Sequence, residues 1–504
     1  MNIIFVTMGA MYKPYFDVYN NLKSDIDKIG FYVSDKFYFE KNKRNDSHVK
    51  YLKEWEITEQ LFNTKIDKQL IEKFEKEYFS DESFWNALNN DRRIFLGKYT
   101  KYIQNYQPSY KYEDMLRLFQ IFTEKIELFI EEIKPDIIVG ITPSTIGDYL
   151  FYRIAKSKEI QYYTLKTVKV GSYQTFTKTI SEEHIHIKKT FLNYENIDEI
   201  DLDTLRKTKK YLKNVKEGST AYEGNVAIPK DYQVFKLNHI VNFAKYIIKD
   251  ILTLFKKRDH HNKTLYSLTY LYNNSIKNYK AKQFKKFTKN RTIFELDKIE
   301  KENYIFFPLH AEPEIAISNY AKTYQNQIEV IRNITLQLPS KYKLIVKEHP
   351  RNIGRRSLGY YKKILDMPNV DFVDFELASI EIVRRSKLII VLSGNIGFEA
   401  VLNSIPVISL GNTMYNMLPK TMVNYIDNIK DLYLEIDKTI KLHKYSQEVM
   451  EKYISAVIEN SFPLDLYTVL LKKPGREGGS EFDEKKYIEN IDILSSNILR
   501  LREE

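Results

Sequence analysis

Short runs that are apolar on both faces recur along this chain, and most are followed by a stretch with helical spacing. In the first half the runs are 2–7 (NIIFVT), 135–141 (PDIIVGI) and 160–165. In the second half they are 304–308 (YIFFP), 343–347, 388–392 (LIIVL) and 406–410 (PVISL). A strand without a polar face is a buried strand of a parallel sheet, covered by helices on both sides. Helical patterns follow at 146–157, roughly 315–338, 376–386, 396–404 and 483–502. Strand–helix–strand alternation predicts the α/β class with two parallel, Rossmann-like sheets facing a cleft. The expected organisation is a first domain over 1–295 with helical insertions, the stretches 45–130 and 195–300 being largely helical in pattern. A second domain spans 296–472, and 473–504 form a linker and a last helix. That helix carries Tyr487, Ile491, Leu494 and Ile498 on one face and is expected to pack back on the first domain. Trp55 and Trp85 are expected in the packing.

Ligands of such sheets sit at the carboxyl ends of the strands. The run 343–347 ends in Lys347-Glu348-His349-Pro350, and 388–392 ends in Ser393-Gly394-Asn395. A glycine at a strand-to-helix turn admits a ligand to the backbone, and free N–H groups at a helix start attract an anion. Ser393 adds a hydroxyl donor, and Glu399 stands where a carboxylate could accept from ribose hydroxyls. Pro350 holds His349 extended. Arg351, Arg355 and Arg356 offer positive charge for a phosphate. Taken singly these are a helix cap, a surface histidine and a solvated basic turn. At successive strand ends together they predict an anion site. The run 304–308 leads into His310, Glu312 and Glu314, again at a strand end. In the first half, Asp148 lies in the first turn of the helix after 135–141. It is either a carboxylate complementing the helix dipole or a catalytic carboxylate facing the cleft. Asp91-Arg92-Arg93 is expected to be a salt-bridged helix surface.

Composition narrows the classes. The 504 residues contain no cysteine, which removes disulfides and thiolate metal sites. No G-x-G-x-x-G follows the first strand, so the dinucleotide fingerprint is missing. The start has neither a basic n-region nor a cleavage site, and no apolar run is long enough to cross a membrane. The net charge of +11 suits an anionic ligand, an anionic membrane face or nucleic acid. Interleaved aromatic and basic RNA motifs are absent, so no nucleic acid partner is expected. Residues 235–257 alternate apolar and basic positions at helical spacing. They suit either a membrane surface or, more commonly, packing on the domain. No metal site is expected: His260-His261 lack partner carboxylates, and the D-x-D patterns at Asp25–Asp27 and Asp201–Asp203 follow no buried strand.

The segments FPLHAEPE (307–314), KEHPRNIGRRS (347–357) and SGNIGFEAVLNSIPVISLG (393–411) resemble the bacterial capsule polysaccharide biosynthesis family, which includes Kdo transferases. The resemblance covers roughly 300–412, with a weaker echo at 84–97 and 135–165. It implies the GT-B glycosyltransferase architecture and transfer of a 2-keto-3-deoxy sugar acid from a CMP-activated donor to a surface glycan or lipid-linked glycan. The sugar would be Kdo or a nonulosonic acid such as sialic, legionaminic or pseudaminic acid. By resemblance His349, Pro350 and Ser393 hold the donor phosphate, and Glu399 the nucleotide sugar. Pro313-Glu314 would line the donor side. His310, Glu312, Lys347, Arg351, Arg355, Gly394 and Asn395 would complete the nucleotide-sugar site, with Asp148 and His349 catalytic. No cofactor beyond the donor and no metal is implied. The resemblance further implies a cytoplasmic protein, with room for peripheral contact at the inner membrane face. Alternatives are a CDP-glycerol-dependent teichoic acid glycerophosphotransferase, a UDP-GlcNAc 2-epimerase-like enzyme and a non-catalytic basic scaffold.

Overall fold

A computed structural model describes residues 1–43, 46–95, 108–219, 221–223, 237–253, 265–293, 295–312, 314, 316–473 and 483–502. His260, His261, Pro313 and most of the expected linker 473–480 lie outside these residues.

The first sheet contains β1 (Asn2–Thr7), β2 (Lys28–Val33), β3 (Val49–Lys53), β4 (Ile137–Ile141), β5 (Gln161–Thr167) and β6 (Tyr173–Thr177). The second contains β7 (Thr292–Ile293), β8 (Tyr304–Pro308), β9 (Lys343–Lys347), β10 (Val370–Val373), β11 (Leu388–Val391), β12 (Val407–Ser409) and β13 (Val423–Tyr425). A last short strand, β14 (Phe462–Pro463), returns to the first sheet. The strand orders are β14-β6-β5-β4-β1-β2-β3 and β13-β12-β11-β8-β9-β10-β7. Every pairing is parallel except β5–β6 and β6–β14. The central strands are buried on both faces: Ile3, Ile4, Phe5, Ile305, Phe306, Ile389 and Ile390 are all fully enclosed. The double-sided apolar runs therefore mark the strands for the reason they were singled out. This is the α/β, two-sheet GT-B arrangement.

The chain divides between the sheets differently from its sequence segments. β7 joins the second sheet before residue 296, and Phe284 of the helix Lys277–Thr288 stacks on Tyr361 at 4.0 Å between ring centres. The helices Ile185–Asn193 and Leu202–Lys216 pack against the helix Gln447–Glu459, with Thr208 and Ser455 hydroxyls 2.8 Å apart. An amphipathic helix states that it has an apolar face, not which domain that face meets. The last helix, Glu484–Arg500, packs on the helix Tyr12–Asn21 through Tyr487, Ile491, Leu494 and Ile498, and the Tyr487 hydroxyl donates to Asp17 at 2.8 Å. Trp55 is buried in the same core, and Trp85 is partly buried beside Phe84. The expected long helix at 315–338 is broken into turns at Ala316–Tyr320 and Lys322–Tyr324 and a helix Gln327–Leu336.

Those turns dock one domain on the other. Asn319 Nδ2 donates to the Pro143 carbonyl at 2.9 Å, and Lys322 Nζ reaches Glu82 at 3.0 Å and the Tyr149 hydroxyl at 2.8 Å. A cleft of about 2120 Å³ remains between the sheets. It is lined at the ends of β1, β4, β8, β9 and β11 by Met8, Thr142, Leu309, Lys347 and Ser393.

Candidate active site

The second-domain wall is built from three strand ends. At the end of β9, His349 is extended (φ −69°, ψ 135°) and opens the short turn Pro350–Asn352. The Arg351 backbone N–H donates to His349 Nδ1 at 3.1 Å. An imidazole that accepts at Nδ1 while neutral carries its hydrogen on Nε2. Burial, then the charges of Arg351, His310, Arg356 and Lys347, hold the His349 pKa well below the usual histidine range. His349 is thus a neutral N–H donor that lines the cleft. At the end of β8, His310 is buried, its Nε2 has no hydrogen-bond partner, and its pKa is lowered to about 4, chiefly by burial.

At the end of β11, the helix Asn395–Leu402 starts at Gly394 with no side-chain cap. A Cβ on Gly394 would stand 3.1 Å from His310 Cε1, so glycine is what allows the ring and the turn to meet. The uncapped N–H groups point an anion-binding end at the cleft. Ser393 departs from expectation: its hydroxyl donates to the Ala316 carbonyl at 3.1 Å and ties down the docking turn instead of offering its hydrogen to a ligand. Asn395 Nδ2 donates to the Tyr222 hydroxyl at 2.5 Å, and Glu399 lines the cleft one turn further on.

The basic turn after His349 splits. Arg356 is fully buried and binds Glu348 at 2.9 Å and Glu312 at 3.1 Å. Tyr361 also donates to Glu348, at 2.7 Å, and Gln327 donates to Glu312. Arg356 therefore neutralises buried carboxylates rather than a phosphate, and Glu312 is part of that lattice. Lys347 donates to the Ser379 hydroxyl at 3.0 Å, and burial lowers its pKa to about 8. Arg351 and Arg355 do line the cleft; the buried Nε of Arg355 has no hydrogen-bond partner. Glu314 is partly exposed, 3.8 Å from Arg351 and 3.9 Å from His310 Nδ1.

The first-domain wall holds residues that the strand pattern did not single out. Asp91-Arg92-Arg93 is only partly the expected surface: Arg92 stays exposed, while Asp91 and Arg93 turn inward. Asp91 is fully buried and Arg93 joins it to Glu54, with contacts of 2.6 Å to each. Arg92 lines the cleft opposite Arg351 and Arg355. Partial desolvation at the cleft, then the charges of Arg93, Arg355 and Arg351, lower its pKa. Three guanidiniums from two domains thus face one space. Further along the wall, Lys169 binds Glu182 at 3.0 Å, both buried. Burial lowers the Lys166 pKa to about 8, while Lys169 and Lys166 hold Glu182 below the usual carboxylate range against its burial. The only sequence signal for Lys166 and Lys169 was their place at the end of an apolar run.

Asp148 does not line the cleft. Its Oδ2 accepts the backbone N–H groups of Ser144 at 3.2 Å and Thr145 at 3.1 Å, and the Thr145 hydroxyl accepts from the Asp148 N–H. This is a capping box closing the helix Ile146–Ser157. The carboxyl is 1% exposed, and burial raises its pKa to about 6. The first turn of a helix brings a carboxylate back onto its own N–H groups, and here that need outweighs projection into the cleft.

Fold and site together define a two-sheet GT-B protein with a cationic cleft at its strand ends. The family model described as capsule polysaccharide biosynthesis protein matches residues 223–428, which carry β7 to β13 and the second-domain wall. No curated protein matches the chain. Among solved structures, the chain is similar to Thermosulfurimonas dismutans KpsC, beta Kdo 2,7 transferase, at 10% identity and a TM-score of 0.36, covering 74% of this chain and 90% of that one. It is similar to the beta Kdo 2,4 transferase of the same KpsC at 12% identity and a TM-score of 0.36, covering 71% and 87%. The UDP-GlcNAc 2-epimerase from Neisseria meningitidis shares 13% identity, with a TM-score of 0.28 and coverage of 91% and 98%. None of these likenesses carries an activity over to this chain.

Proposed function

We propose that this protein is a glycosyltransferase of surface polysaccharide synthesis, moving a 2-keto-3-deoxy sugar acid from a CMP-activated donor to a glycan hydroxyl. The observation that carries the reading is the meeting, in one cleft, of a neutral Nε2–H donor on His349, the uncapped helix start after Gly394, and Arg92, Arg351 and Arg355. The donor has two anionic groups, a phosphate and the sugar carboxylate. The helix start, His349 and the arginines suit the phosphate; Lys166 across the cleft suits the carboxylate. As the bond to the anomeric carbon breaks, charge grows on the CMP phosphate, and donors already in place stabilise it without reorganising.

The acceptor hydroxyl must lose a proton. Asp148 is closed off in its capping box and Glu182 is held by Lys169, so the role falls to Glu314, which is partly open to the cleft. The residues present need no metal for these steps.

A thermal-shift series with CMP, CDP, UDP and GDP tests the reading, because a ligand bound to the native state raises its stability. CMP is expected to give the largest shift. A shift with UDP alone would point to epimerase-like chemistry. Turnover of CDP-glycerol in place of CMP-sugars would make the protein a glycerophosphotransferase.

A further inference from the structure

The helix Leu237–Thr253 faces the opposite way from a helix packed on a domain. Ile240, Val241, Ile247, Ile248, Ile251 and Leu252 share one side by helical spacing, and each is between 40% and 69% exposed. The other side makes the contacts. Tyr246 packs on Tyr270 with ring centres 5.0 Å apart, and Lys249 lies 4.2 Å over the Tyr266 ring. Asp250 accepts the N–H groups of Tyr266 and Ser267 at 2.8 and 2.9 Å, capping the next helix, Tyr266–Leu271. An aliphatic stripe is left facing water while polar groups are buried, an arrangement that costs free energy unless something covers the stripe.

The charge around the stripe selects the cover. Residues 237–293 contain thirteen lysines and arginines against two aspartates and no glutamate, a net +11. That equals the net charge of the whole chain, so the rest of the protein is balanced. A second copy would bring one strongly basic segment against another, and like charges oppose that pairing. Nucleic acid would answer the charge but has no use for an aliphatic stripe. Among the described residues no helix is long and apolar enough to cross a membrane. We propose that this helix lies in the plane of an anionic lipid bilayer, its aliphatic stripe among the acyl chains and the surrounding lysines on the headgroups. Seventeen residues give a contact of about 25 Å, enough for an interfacial helix. The inference rests on this surface alone and stands or falls apart from the donor assignment.

Flotation of the full chain with vesicles tests it. The protein should float with vesicles of phosphatidylcholine mixed with phosphatidylglycerol, not with phosphatidylcholine alone, and high salt should release it. Ile248→Asp with Leu252→Asp should lower the bound fraction roughly tenfold or more, and Lys282→Glu with Lys286→Glu should weaken binding at low salt. All four side chains are exposed, so both variants should keep the wild-type melting temperature and nucleotide response. The proposal is overturned if the protein ignores phosphatidylglycerol, if the aspartate pair leaves flotation unchanged, or if sedimentation shows a dimer that the aspartate pair dissolves.

Discussion

The backbone N–H of Arg351 points at His349 Nδ1 from 3.1 Å, so the ring is locked with its other nitrogen as the donor. A phosphate gaining charge needs such a donor at fixed distance. His349→Ala is expected to lower turnover on the order of a hundredfold or more, with a smaller change in KM. Steady-state kinetics with the CMP-sugar check it. Wild-type kcat in the variant would remove His349 from the mechanism.

Arg92, Arg351 and Arg355 repel one another across the cleft until an anion sits between them. Arg92→Gln should therefore leave the empty protein at least as stable as wild type, while nucleotide affinity falls about tenfold, or ~1.4 kcal/mol. Calorimetric titration and thermal unfolding of the same variant separate the two effects. Equal affinity would return Arg92 to the status of a surface residue.

Asp148 titrates near 6 in the fold, raised by burial above an unfolded carboxyl near 4. Between about pH 4 and 6 the folded chain holds a proton that the unfolded chain has lost, so stability from this group falls as pH rises. Asp148→Asn removes that dependence. The melting temperature of the variant relative to wild type should climb across this window, with a total on the order of 2–3 kcal/mol at neutral pH. Turnover should persist in Asp148→Asn and drop by about two to four orders of magnitude in Glu314→Gln. The reverse pattern would make Asp148 the base.

The buried histidines act over an overlapping pH range with the opposite sign. Burial lowers His310 to about 4 and His184 to about 3, below an unfolded value near 6.5. As pH falls through about 6.5 toward 4, the unfolded chain takes up protons that the fold refuses, and stability is lost. His310→Gln should flatten this acid loss by on the order of 1–3 kcal/mol. Urea unfolding at a series of pH values reads it, and an unchanged slope in the variant would show that His310 is protonated in the fold.

Strand formation in a doubly covered sheet depends on local composition, so the runs 2–7, 304–308 and 343–347 could be read residue by residue, as could the strand ends carrying His349 and Ser393. The capping box of Asp148 was also legible, in the spacing Thr145-x-x-Asp148, and spoke against a catalytic carboxylate. What periodicity could not decide was which distant surfaces meet. Arg355 and Arg356 are neighbours of one chemistry, yet the path of a single turn leaves one at the cleft and buries the other between Glu348 and Glu312. Arg92 faces Arg351 only because two domains dock through Asn319 and Lys322. The stripe on Leu237–Thr253 is evident in the sequence, but its exposure was settled by Asp250, Tyr246 and Lys249 turning the other face inward. Local chain stiffness and apolar spacing determine the elements. Burial, charge pairing and docking between segments far apart in the chain determine which side chains are left to act.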